Sequence, residues 1–144
     1  MSQQNTSVEV NGIRIDLRKI IAEGDAEELV KQADALGKQL AQPLKTSQIR
    51  NIFGAVRRIE MNWPENASDE QARRAYRELL MLKPKMAYQA KRESERKGRG
   101  VEMLRRVLDP AIGMVERKHD RFRNFVDFFE AILAYHKAHG GKTS

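Results

Sequence analysis

Apolar residues recur at three- and four-residue steps along most of this chain, the spacing that gathers them on one face of a helix. The strongest such run is Arg121–Gly141, RFRNFVDFFEAILAYHKAHGG, which holds four of the five Phe. Phe122, Phe125, Phe129, Ile132, Leu133 and His136 share one face, and Phe128, Ala131 and Tyr135 widen it. A stripe that wide predicts a helix covered on more than one side, its aromatics serving as core rather than as base-stacking groups. Gly140 and Gly141 predict its end, because Gly enters the left-handed C-terminal cap without strain.

The same spacing predicts the other elements. A first helical region runs from about Asp16 to Leu40, broken at Gly24 with Asp25 capping Ala26–Leu40. Leu29, Val30, Ala33, Leu36 and Leu40 form its inner face. Gln42-Pro43 ends it, since the residue before Pro avoids helical angles. A second helix starts with Thr46 or Ser47 as cap and turns Ile49, Ile52, Phe53, Val56 and Ile59 inward. Ser68 with Gln71 makes a capping box for a third, whose inward residues are Ala72, Ala75, Tyr76, Leu79 and Leu80. Pro84 predicts a kink or a new start there. Gly98 and Gly100 flank Arg99 in an expected flexible basic loop, and Val101 to about His119 forms a fourth region interrupted near Pro110.

Alternation appears once, at Val8–Ile15 around Asn11-Gly12, a tight-hairpin signal. A lone two-stranded hairpin is marginal in water. The expectation is therefore an all-α fold: a single five-helix bundle over residues 16–144 with a mobile or partner-dependent arm over residues 1–15, of which 1–7 are disordered.

Composition narrows the function. At 144 residues the chain is one domain by length. It has no Cys, which excludes disulfides and thiolate chemistry and favours a cytoplasmic chain. No apolar run approaches the ~20 residues of a membrane span, and the N-terminus has no secretory pattern. The net charge is +7, which raises the prior for a polyanionic partner. Its distribution matters more. Met1–Ala35 carries four basic and seven acidic residues, Lys38–Arg58 five basic and none acidic, and Lys83–Arg106 nine basic and three acidic.

On the second helix, Arg50 and Arg57 sit about 20° apart at 100° per residue, with Ser47, Gly54 and Arg58 beside them. A small-residue patch ringed by Arg suits a phosphate backbone, or is simply a solvated basic face. Tyr88, between Lys85 and Arg92, either stacks a base or, by preference, packs in the core. His136 and His139 lack the further ligands a metal site needs, and His136 reads as a hydrogen-bonded core residue. No phosphate loop, nucleophile elbow or kinase set is present. These observations predict no enzyme, no metal and no cofactor. A helix-turn-helix reading is weaker: only Gln48, Arg50 and Asn51 suit base readout at the start of the second helix.

Three stretches, Leu44-Lys45-Thr46-Ser47-Gln48-Ile49-Arg50-Asn51, Leu82-Lys83-Pro84-Lys85-Met86-Ala87-Tyr88 and Phe129–Gly141, together resemble the small subunit of the type III-A CRISPR effector, the small-subunit family of the Csm complex. The resemblance covers about Leu29 to Lys142. It implies a five-helix bundle without a catalytic centre, a subunit that stacks in copies beside the guide–target duplex. Its implied partners are crRNA, single-stranded target RNA, copies of itself, and the backbone and large subunits, with no membrane. By motif the family's basic residues fall on Lys45, Arg50 and Arg57 and on Lys83, Lys85 and Arg92. With Arg58 from the charge pattern, these are the expected RNA-binding residues. The alternatives are a small helical DNA-binding regulator and, behind it, a metal-dependent enzyme.

Overall fold

A computed structural model describes residues 6–143. The disorder expected of residues 1–7 concerns in part residues 1–5, which like Ser144 lie outside the described residues, and it does not hold at Ser7, which opens a strand. The alternating stretch forms the antiparallel strands β1 (Ser7–Val10) and β2 (Ile13–Asp16). Asn11 and Gly12 between them both have positive φ, 49° and 80°, the requirement of a type I′ turn that matches strand twist. A π-helical turn, Arg18–Ala22, follows.

Six α-helices come next, among the described residues: α1 (Ala26–Leu40), α2 (Thr46–Met61), α3 (Asp69–Leu80), α4 (Leu82–Ser94), α5 (Gly100–Gly113) and α6 (His119–Ala138). The expected five become six because the third region divides at Met81. Pro84 has no N–H to give the residue-80 carbonyl, so the chain breaks just upstream and keeps the Pro in a first turn. Pro110, by contrast, does not interrupt its region. It lies inside α5, where buried Val107, Leu108, Ala111 and Ile112 hold the helix together on both sides of it.

The caps follow local chemistry. Asp25 accepts from the Glu28 N–H, and Ser68 from the Gln71 N–H. At α2 neither Thr46 nor Ser47 is the cap. Lys45 holds that position, and its N–H donates to the Gln48 side chain at 2.9 Å. Two helices end in the same motif. At the end of α4, Lys97 N–H donates to Ser94 C=O and Gly98 N–H to Glu93 C=O; at the end of α6, Gly140 N–H donates to Lys137 C=O and Gly141 N–H to His136 C=O. Both are Schellman caps, with Lys97 and Gly140 in the left-handed position.

α6 is the central element. Phe122, Phe125, Phe128, Phe129 and Ile132 are all buried in one continuous core. α1 packs along it, closely enough that a Cβ added at Gly37 would overlap Tyr135. Phe53 of α2 meets Phe129 edge-on with centroids 5.1 Å apart. Trp63, in the loop after α2, is buried and stacks on Phe122 at 4.5 Å.

Two expectations about exposure are corrected. Val30 and Leu80 point outward at the edges of their stripes. The hairpin is not a separate arm. Val10, Ile15 and Leu17 are buried in the same core as α6, and Asn11 reaches Gln39 of α1. A hairpin too small to stand alone is held by lending its apolar face to the bundle.

Candidate functional site

The start of α2 is gripped from three sides. From the end of α6, His136 Nε2 donates to Leu44 C=O at 2.7 Å; His136 is 1% exposed, and its Nδ1 is buried with no partner among the described residues. From the end of α4, Glu93 accepts from Gln48 Nε2 at 2.9 Å with one oxygen and from Val101 N–H at 2.8 Å with the other. From the C-terminal tail, Lys142 accepts from Thr46 N–H and donates to Ala41 C=O, both at 2.7 Å. Gly100 completes the fit, because a Cβ there would overlap the Pro43–Leu44 backbone.

The result is an open groove of about 470 Å³ between α2 and α4. Lys45, Arg92, Arg96, Lys97 and Lys142 line it with a single carboxylate, that of Glu93. Both Glu93 oxygens accept the bonds above, so the carboxylate braces the scaffold, and the groove lining still carries five cations against that one anion. Gathering cations around a concavity raises the local positive potential and concentrates anions there.

Of the residues expected to bind, Lys45 and Arg92 are thus brought together by the fold. Lys85 is exposed and, seven residues before Arg92, lies about 20° from it around α4, so it continues the same basic face. Tyr88 is exposed, 65%, rather than in the core as preferred from the sequence, with the Arg92 guanidinium 5.9 Å from its ring. Lys83 is half-buried and turned the other way, 3.9 Å from Asp109 of α5.

The arginines of α2 lie apart from the groove. Arg50 edges a smaller depression of about 190 Å³ between α2 and α6, near Glu130 and Lys137. Arg57 is engaged by two carboxylates, Glu60 and Glu130, each at 2.7 Å, and lies over the Phe53 ring. The hydrogen bond to Glu60 and the surrounding carboxylates raise its pKa. Beside it, burial pushes the Asp127 carboxyl up, and Glu130 and Glu60 push the same way. Arg58 is exposed next to Gly54. The outer face of α2 is therefore a mixed-charge surface on the α6 side and, on the other, a cation with no ion pair among the described residues.

His139 Nε2 donates to Asp34 at 2.6 Å, so the two histidines of α6 serve different partners. Among the described residues no group of three or more His, Cys, Asp and Glu is arranged to hold a metal ion. No helix among them is long and apolar enough to cross a membrane.

Arg96, Lys97 and Lys142 were not singled out from the sequence. Their signal was present as cations just past two helix ends, yet only packing brings those ends to one groove. Residues 23–142 match a family model described as Csm2 Type III-A. No curated protein and no solved structure matches the chain.

Proposed function

The chain belongs to the Csm2 Type III-A family and so to the type III-A CRISPR effector, and on that premise we propose that it is a non-catalytic, RNA-binding scaffold subunit. In this reading it works in the cytoplasm and lies along the guide RNA–target RNA. It touches copies of itself and the backbone and large subunits of the ribonucleoprotein. It needs no cofactor, and its contribution is electrostatic and geometric.

The observation that carries the reading is the convergence of Lys45, Arg92, Arg96, Lys97 and Lys142 from three chain segments on one groove. Phosphates of a single strand set against these cations release counterions, which drives binding whatever the sequence. Lys85 extends the track, and Tyr88 at its edge offers a face on which a base can stack. Arg50 and Arg58 are secondary contacts. Arg57 is the weakest candidate of the set, because a phosphate must compete with Glu60 and Glu130 for its guanidinium. Lys83 contributes in the same diminished way, beside Asp109.

The DNA-regulator alternative needs the first turn of α2 free to enter a major groove. Two of its polar groups are already bonded, the Thr46 N–H to the tail and the Gln48 amide to Glu93, which leaves only Arg50 and Asn51 of the residues suited to base readout. The observed packing disfavours it.

Fluorescence anisotropy with single-stranded RNAs of unrelated sequence, against duplex DNA, tests the reading. Affinity for every RNA should fall steeply as salt rises. The double change Lys45→Ala with Arg92→Ala should cost at least about tenfold and reduce the salt slope by about 1.4, or ~0.7 per single-strand phosphate contact. A sequence-dependent preference for duplex DNA, or a flat salt response, would overturn it.

A further inference from the structure

α2 and α4 supply the two walls of the basic groove, yet they are not a closely packed pair. Among the described residues one hydrogen bond joins the two helices, from Gln48 Nε2 to Glu93 at 2.9 Å. That bond is the middle of a longer chain. At one end the Lys45 N–H donates to Gln48 Oε1 at 2.9 Å. At the other the Val101 N–H, in the first turn of α5, donates to the second Glu93 oxygen at 2.8 Å. The relay thus crosses from the start of α2 through the last turn of α4 to the start of α5, with Arg92 beside Glu93 on the α4 wall.

The direction of this relay is fixed from outside. The backbone N–H groups at both ends can only donate, so Gln48 and Glu93 must each turn an acceptor outward. Between them a donor must then meet an acceptor. One amide and one carboxylate satisfy all three contacts. Two amides would set N–H against N–H somewhere along the chain, and two carboxylates would set like charges face to face. Leaving a part-buried polar group unmatched costs more than an average hydrogen bond contributes. The other grips on the start of α2, through His136 and Lys142, hold it to α6 and the tail rather than to α4. For attracting an anion a carboxylate is the wrong charge, so the place of Glu93 among five cations has a geometric reason.

We infer that Gln48 and Glu93 are positioning residues for single-stranded RNA: their relay sets the distance between the α2 and α4 walls, so that cations of both walls meet one strand together. Walls held in place beforehand spare the ordering that binding would otherwise have to supply. The inference rests on the RNA-binding reading of the groove and assigns to it two residues that carry no positive charge.

Fluorescence anisotropy with the full chain and one single-stranded RNA oligonucleotide tests the sign of the effect. Glu93→Gln removes an anion from the groove, so on charge alone RNA affinity should rise. The relay requires the reverse, a fall of about three- to tenfold. Gln48→Glu should also weaken binding. The swap Gln48→Glu with Glu93→Gln keeps the parent's net charge and remakes all three contacts with amide and carboxylate exchanged. It should return affinity to within about twofold of the parent, a coupling that independent sites would not show. Should Glu93→Gln fail to fold, the swap still decides, because it is expected to fold. A swap that does not fold, or that folds and binds as weakly as the single variants, overturns the inference. So does a Glu93→Gln variant that binds as well as or better than the parent while Lys45→Ala/Arg92→Ala binds more weakly; the groove reading then stands without the relay. If Lys45→Ala/Arg92→Ala leaves binding unchanged, the groove reading fails and takes the inference with it.

Discussion

The ends of α4 and α6 use one backbone solution for two purposes. In each, the residue three before the cap reaches the start of α2: Glu93 bonds the Gln48 side chain, and His136 bonds the Leu44 carbonyl. In each, a Gly two residues past the cap packs on that same side chain, Gly98 on Glu93 and Gly141 on His136. The surroundings differ. His136 is buried beside the Phe-rich core, whereas Glu93 is half-exposed at the groove. The left-handed residue differs too, Gly140 against Lys97. At the α6 end only the position two past the cap is closed, where Gly141 lies against the buried His136 ring, while the left-handed Gly140 is exposed and open. At the α4 end the left-handed position is also exposed and carries the costlier Lys97 at the edge of the groove.

That contrast can be broken at its foundation. If the α6 end depends on the core beneath it, Phe125→Ala and Phe129→Ala should each destabilise by about 3–5 kcal/mol, the usual cost of emptying a buried Phe site. Hydrogen exchange at the Thr46 and Lys142 amides should quicken in step. A loss under ~1 kcal/mol in denaturant unfolding would mean that α6 is peripheral and its end no more constrained than that of α4.

The positions two past the caps sharpen the contrast. Gly141→Ala drives a methyl into the His136 ring and should cost about 1–3 kcal/mol, as overpacking of a closed site does. Gly98→Ala meets the Glu93 stem, which can shift only by loosening its bonds to Gln48 and Val101, but it does so beside the open groove rather than in the core and should cost less in parallel thermal melts. Equal losses would erase the distinction between a packed end and an open one.

The left-handed positions isolate backbone strain. No atom lies within 4 Å of a Cβ added at Gly140. Gly140→Lys should therefore cost only the left-handed penalty, about 1–2 kcal/mol less any dipole gain, lowering Tm by a few degrees. An unchanged Tm would mean that a Lys in this turn carries no strain.

The smallest effect belongs to the outer face of α2. Arg50→Ala with Arg57→Ala should leave stability within about 0.5 kcal/mol, since exposed ion pairs contribute little. RNA binding should fall less than for the Lys45/Arg92 pair. A larger fall would move the main contact from the groove to the α2–α6 face.

Much of this was legible along the chain because it is local. The three-to-four spacing of Phe122, Phe125, Phe129 and Ile132 marks α6. Asp25 and Ser68 mark two helix starts, and Gly140 marks a stop. Each signal needs only neighbours within about a turn. The placement of Trp63 and Tyr88 was not legible. An aromatic in a loop and an aromatic in a helix look alike until packing decides that the first stacks on Phe122 and the second faces solvent. Lys45 and Arg92 were singled out through motif and charge; Glu60, three residues after Arg57, was a partner that spacing already offered, but only packing brings Glu130 to the same guanidinium.

Periodicity and caps, then, determined the helices, most of their boundaries and their inward faces, and composition determined that the chain is a basic protein without Cys. Only the tertiary structure decided where the hairpin sits, which cations are left free, and that Lys45, Arg92, Lys97 and Lys142 share one groove. Helix formation is governed by contacts within four residues, so it is written in order along the chain. A groove is made by segments as far apart as Lys45 and Lys142, whose meeting depends on how His136, Gly100 and Gly141 let three helix ends and a tail close on one another.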